Sequence, residues 1–118
     1  MDARVGLGRR GEDAAARFYR RHGFTIVERN YRCGRSGEVD IVARRGGLVV
    51  FCEVKARGDD RWGIPAEAVG YAKQARLRRL AAAWLSQRRP GPVDVRFDVV
   101  SVIVRDGRAE LTHIPDAF

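Results

Sequence analysis

Between residues 8 and 22 the positions Ala15, Phe18, Tyr19 and His22 recur at three- and four-residue spacing, which predicts a helix. Gly23 follows where helices commonly stop in a left-handed turn. Residues 24–28 read as a strand, and 31–37 as a polar segment containing Tyr31, Cys33 and Ser36. Residues 38–43 predict a second strand, Arg45-Gly46-Gly47 a tight turn and 48–56 a third strand. Two strands joined so briefly are expected to be antiparallel neighbours. A polar loop over 58–63 contains Trp62, and Pro65 opens a short helical turn. Residues 71–87 form a clear amphipathic helix: Leu77, Leu80, Ala81, Trp84 and Leu85 make one stripe, with Lys73, Arg76 and Arg79 off it. Arg89-Pro90-Gly91-Pro92 ends that helix, 93–104 is a long strand, and Asp106-Gly107 is a hairpin signal leading into 109–113. The order predicts an α/β fold, a mixed central sheet with helices covering its faces.

Composition narrows the class. The 118 residues suffice for about one domain, and the hydrophobic share of 45% is that of a globular chain. The longest apolar run, 48–52, is far short of the roughly 20 residues of a membrane span, and no secretory signal is legible at the start. Cys33 and Cys52, the only cysteines, lack Cys-x-x-Cys spacing, so neither a disulfide framework nor a cysteine zinc site is expected. A small cytoplasmic domain is the expectation. Its 23 Lys plus Arg against 15 Asp plus Glu give a net charge of +8. Cations crowd both helices, which fits a polyanionic partner, although basic charge also serves solubility.

The chemistry is concentrated in Glu38, Asp40, Glu53 and Lys55. Side chains alternate along a strand, so Glu38 and Asp40 share one face while Val39, Ile41 and Ala43 share the other. On the next strand Glu53 and Lys55 share a face, and Cys52 and Val54 point away. In a suitable register two carboxylates and an ammonium converge. Carboxylates held together repel unless a cation neutralises them, and a hard divalent ion such as Mg²⁺ does so with one or two carboxylates plus water. Such a site suits hydrolysis of a phosphodiester. The same spacing also describes a solvated strand face whose ion pairs contribute little.

Three segments carry a resemblance: Gly8-Arg9-Arg10-Gly11-Glu12, Gly37-Glu38-Val39-Asp40-Ile41-Val42-Ala43 and Phe51-Cys52-Glu53-Val54-Lys55-Ala56-Arg57. In order and spacing they resemble the PD-(D/E)XK nuclease superfamily, and more closely the YraN family of bacterial proteins, related to Holliday-junction resolvases. The likeness runs from the first helix to Arg96-Phe97-Asp98-Val99-Val100. It implies a single nuclease-like domain over 1–118 with a restriction-endonuclease-like mixed sheet flanked by helices. It also implies a metal-dependent nuclease acting on DNA, with branched or structured DNA suggested by the resolvases. Asp40 and Glu53 would ligate Mg²⁺ or Mn²⁺, and Lys55 would act on the attacking water. Glu12 would be a further ligand or would hold metal-bound water, and Gln74 would lie beside the site. Val39 stands where the superfamily pattern has proline. Resolvase relatives work as homodimers, but no interface is readable in this chain.

The remaining candidates are weaker. His22 and His113 read as surface or capping residues, Cys52 and Trp84 as core, and Trp62 and Tyr71 as aromatics able to stack on bases. The alternative function is a non-catalytic nucleic-acid-binding protein on a nuclease fold.

Overall fold

A computed structural model describes residues 3–58 and 69–118. Trp62, Pro65 and most of the 58–63 loop lie outside the described residues. The elements are α1 (Ala3–Arg21), β1 (Thr25–Arg32), β2 (Glu38–Arg45), β3 (Leu48–Arg57), α2 (Tyr71–Arg88), β4 (Asp94–Arg105) and β5 (Arg108–Ile114). The five strands form one sheet in the order β1-β2-β3-β4-β5. All pairs are antiparallel except β3 with β4, which are parallel and joined through α2. This is an α/β fold of restriction-endonuclease-like architecture. Among the described residues no helix is long and apolar enough to cross a membrane.

Each face of the sheet has its own core. On one, Ala15, Ala16 and Tyr19 of α1 pack on Ile41, Ala43, Val50, Cys52, Val100 and Val102. On the other, Leu77, Leu80, Ala81 and Trp84 of α2 pack on Tyr31, Val39, Val42, Val49 and Phe51. The α2 stripe is therefore the one its spacing predicts. The punctuation is also as expected. Gly23, at φ +82°, closes α1, with Phe24 N–H on Tyr19 O (3.0 Å) and Gly23 N–H on Arg20 O (3.1 Å), the paired bonds of a Schellman stop. Asp106 and Gly107, both at positive φ, make the β4–β5 hairpin.

Two expectations need correction. The first strand does not give way to a polar segment at residue 31: β1 runs to Arg32, and Tyr31 is buried, its hydroxyl donating to Gln87 Oε1 at 2.7 Å. A register shift between Ile26 and Glu28 inserts an extra residue, and Asn30 sits at φ +53°, so the two-residue alternation is broken. Val39, moreover, does not share a face with Ile41 and Ala43. It packs on the α2 side while they pack on the α1 side. The ladder between β2 and β3 begins at the pair Ile41–Cys52, and Asp40 turns its carboxylate to Val54 N–H. The parity change thus falls at Asp40.

The first helix begins at Ala3, earlier than expected, with Gly6 and Gly8 inside it despite their poor helix propensity. Gly11 has a steric reason to be glycine. A Cβ built there would lie 2.6 Å from Ala56 Cβ and 3.7 Å from Val54 Cγ1. Gly11→Ala is therefore expected to lower stability by about 1–2 kcal/mol in urea unfolding, because overpacking outweighs the roughly 1 kcal/mol gained in helix propensity. An unchanged or raised unfolding midpoint would show that α1 can lift off β3 freely.

Candidate active site

Asp40 and Glu53 come from adjacent strands. Had the β2–β3 ladder continued past Ile41–Cys52, they would have faced each other as a pair. Instead Asp40 Oδ2 accepts the Val54 N–H at 2.7 Å. Glu53 lies on the α2 side, with Cys52 and Val54 turned to the α1 core, as the alternation predicts. Its exposure is only 7%, which removes the reading of a solvated charge on an open strand face. Burial, followed by the Glu53 charge, pushes the Asp40 carboxyl up to about 7, and Glu12 and Glu38 push in the same direction.

Glu12 projects from α1, and its own carboxyl is raised by burial against the lowering influence of Arg29. Arg29 stands 3.8 Å from Glu12 Oε1 and is engaged at 2.9 Å by Asp13. Glu12 Oε1 is thereby left buried with no hydrogen-bond partner among the described residues. Glu38 accepts from Arg32 at 3.0 Å. These groups line a cleft of about 700 Å³ that also holds Gly8, Arg9 and Asn30.

Lys55 follows Glu53 on the same face, with Nζ 3.8 Å from Glu53 Oε1, and burial and then the neighbouring Lys73 lower its pKa. Gln74 is placed differently from Lys55. Its amide donates to Val69 O at 3.0 Å, tying down the chain that enters α2. The α2 side chain on Glu53 is the preceding residue, Lys73, with Nζ 2.6 Å from Oε1. Sequence reading missed that contact, counting Lys73 only among the cations off the apolar stripe; its place in the first turn of the helix that follows the Glu-x-Lys strand is the signal that points to it.

A second cluster also escaped the sequence. Asp98, fully buried on β4, accepts from Tyr19 Oη (2.8 Å), from Arg96 through two 2.8 Å bonds, and from Asp116 N–H (3.1 Å). His113 Nε2 lies 2.7 Å from Asp98 Oδ2, so this histidine is a partner of a buried carboxylate and not a surface or capping residue. His22 does cap: its Nδ1 lies 2.8 Å from Phe18 O at the end of α1. Cys52 and Trp84 are buried, as expected, and Tyr71 is 90% exposed at the start of α2.

Among the described residues no three His, Cys, Asp or Glu groups stand close enough together to hold a metal ion. The donors are all hard oxygens, the Asp40 carboxyl is raised by burial and the Glu53 charge, and one Glu12 oxygen is buried without a partner. That set suits a cation needing only one or two carboxylates and completing its shell with water.

The mixed five-stranded sheet with a helix on each face defines a small α/β protein of restriction-endonuclease-like fold. The chain belongs to UPF0102, the YraN family: the family model described as "Uncharacterised protein family UPF0102" matches residues 11–102. A UPF0102 protein of Streptomyces griseus is 50% identical over 114 residues, covering 96% of this chain and 95% of that one. One from Frankia alni is 48% identical over 119 residues, 100% and 98% of the two chains. One from Geobacter metallireducens is 43% identical over 112 residues, 95% and 91%. Among solved structures, Pyrococcus furiosus SfsA in complex with Ca²⁺ aligns at a TM-score of 0.34 and 13% identity, over 95% of this chain and 62% of that one. So distant a likeness carries no argument about function.

Proposed function

We propose that this protein is a metal-dependent nuclease that hydrolyses phosphodiester bonds of DNA, with Asp40 and Glu53 holding Mg²⁺ or Mn²⁺ and Glu12 holding metal-bound water. The observation that carries the reading is that Asp40 and buried Glu53, from adjacent strands, lie near enough for the Glu53 charge to raise the Asp40 carboxyl in a poorly solvated place. Burying two like charges together is costly and is the usual mark of a site that expects a cation. Such an ion, when bound, supplies Lewis acidity toward a phosphoryl oxygen and lowers the pKa of water. The protein's own contribution is positional. Val54 N–H fixes one Asp40 oxygen, and β3 places Lys55 beside Glu53. Lys55, its ammonium form disfavoured by burial and by Lys73, is suited to take a proton from the attacking water. The α2 helix carries five Lys and Arg over residues 71–88 and no acidic residue, which suits contact with backbone phosphates. Tyr71, exposed at its start, is available to stack on a base.

One observation favours a second reading, a non-catalytic nucleic-acid-binding protein: the Lys73 ammonium already sits on Glu53. Salt-dependent DNA binding suits both readings. Chemistry separates them. Linear, flap and four-way DNA should be cut by the wild type with Mg²⁺ or Mn²⁺ and left intact by Asp40→Ala and Glu53→Ala. Equal trace cleavage by all three would indicate a contaminant and favour the binding role.

A further inference from the structure

Glu53 Oε1 is contacted from two elements. Lys55 Nζ, on the same strand, is 3.8 Å away, and Lys73 Nζ, from the first turn of α2, is 2.6 Å away. The Glu53 side chain is 9% exposed, so this pair is poorly screened and Lys73 is its principal counter-charge. A divalent ion using the same oxygen has to displace or share that ammonium. The helix carrying Lys73 is not free to move away. Gln74 ties its start to Val69 O, and Leu77 and Leu80 are buried against the sheet. The lysine stem is the part that can move: four methylenes, in a side chain that is 23% exposed.

We propose that Lys73 is a tethered counter-ion that competes with the divalent metal for Glu53 and is drawn off by substrate phosphate, so that metal and nucleic acid bind this site cooperatively. The inference rests on the metal-site reading above. With neither ligand bound, Lys73 offsets the repulsion between Glu53 and Asp40. When a phosphate backbone lies along α2, it offers the ammonium another anion, and the freed carboxylate accepts the metal. Linkage makes the effect reciprocal: the factor by which DNA tightens metal binding is the factor by which metal tightens DNA binding. Lys73 is thus a positioning residue, not one that touches the reacting atoms before substrate arrives.

The test is a titration of the full-length chain with Mn²⁺, free ion being read by electron paramagnetic resonance and folding checked by circular dichroism. Lys73→Met, with Lys73→Gln as a second neutral variant, should bind Mn²⁺ about tenfold more tightly than wild type, and Lys73→Arg should resemble wild type. A short phosphorothioate duplex, charged but resistant to hydrolysis, should tighten Mn²⁺ binding by the wild type and leave the neutral variants nearly unchanged, after subtraction of ion held by the duplex alone. Neutral variants that bind Mn²⁺ no better than wild type would overturn the competition while leaving the metal site standing. A duplex without effect on the wild type would overturn the coupling. No Mn²⁺ bound by any form would overturn both the proposal and the site reading beneath it.

Discussion

Asp98→Ala is expected to destabilise the protein by about 3–5 kcal/mol, the cost of breaking a buried charged network from one side. Asp98 has no solvent exposure, and its removal strands the Arg96 guanidinium, the Tyr19 hydroxyl, the His113 ring and the Asp116 N–H together. Arg96 retains some access to water, which softens the loss, whereas Tyr19 is wholly buried and cannot recruit a replacement. Measured by urea unfolding, the deficit would consume a large part of the roughly 5–15 kcal/mol that such a domain possesses. Burial alone would raise the Asp98 carboxyl, but hydrogen bonds from Arg96, His113, Tyr19 and Asp116 N–H bring it below its ordinary value. A depressed carboxylate contributes stability that is present above its unfolded pKa and lost as pH falls through the folded one. The wild type should therefore lose this contribution only below about pH 4, and the gap to Asp98→Ala should close there. A variant within about 1 kcal/mol of wild type at pH 7 would show that the network is easily re-solvated.

How much of this was legible beforehand depended on how local the cause was. The α1 stop at Gly23, the Asp106-Gly107 hairpin and the α2 stripe each follow from residues within a turn or two of one another, and they stand where their spacing puts them. The adjacency of Asp40 and Glu53 was legible because a two-residue turn fixes the neighbourhood of β2 and β3. What failed was assuming that alternation persists. The extra residue between Ile26 and Glu28, the positive φ of Asn30 and the parity change at Asp40 are deviations of single residues, and they re-aim Tyr31 and Val39. Contacts between remote elements were also invisible. Tyr19 meets Asp98 across 79 residues, and Lys73 meets Glu53 only because α2 crosses back over the sheet. Periodicity places Lys73 beside the apolar stripe as one of several cations; only the docking of the helix singles it out.

The place where alternation breaks is also where stability and proposed function conflict. In chelator, Asp40→Asn is expected to be more stable than wild type at pH 8, by about 2–4 kcal/mol. Burial and the Glu53 charge hold the Asp40 carboxyl up to about 7. In the unfolded chain it titrates near 4. A raised carboxyl means the folded state holds the proton more tightly, so its favourable contribution is complete below about pH 4 and is lost as pH rises through about 7. Asparagine cannot ionise, and its amide oxygen can still accept the Val54 N–H that Asp40 now accepts at 2.7 Å. The gap between the two melting curves should therefore shrink steadily from pH 8 to pH 4. Mg²⁺ or Mn²⁺ should restore the wild type by mass action and leave Asp40→Asn unmoved. The more stable variant should also be the one that fails to cut DNA. A variant no more stable than wild type at pH 8, or a gap that ignores pH, would mean that Asp40 is comfortably solvated, and the case for a cation at this site would lose its physical basis.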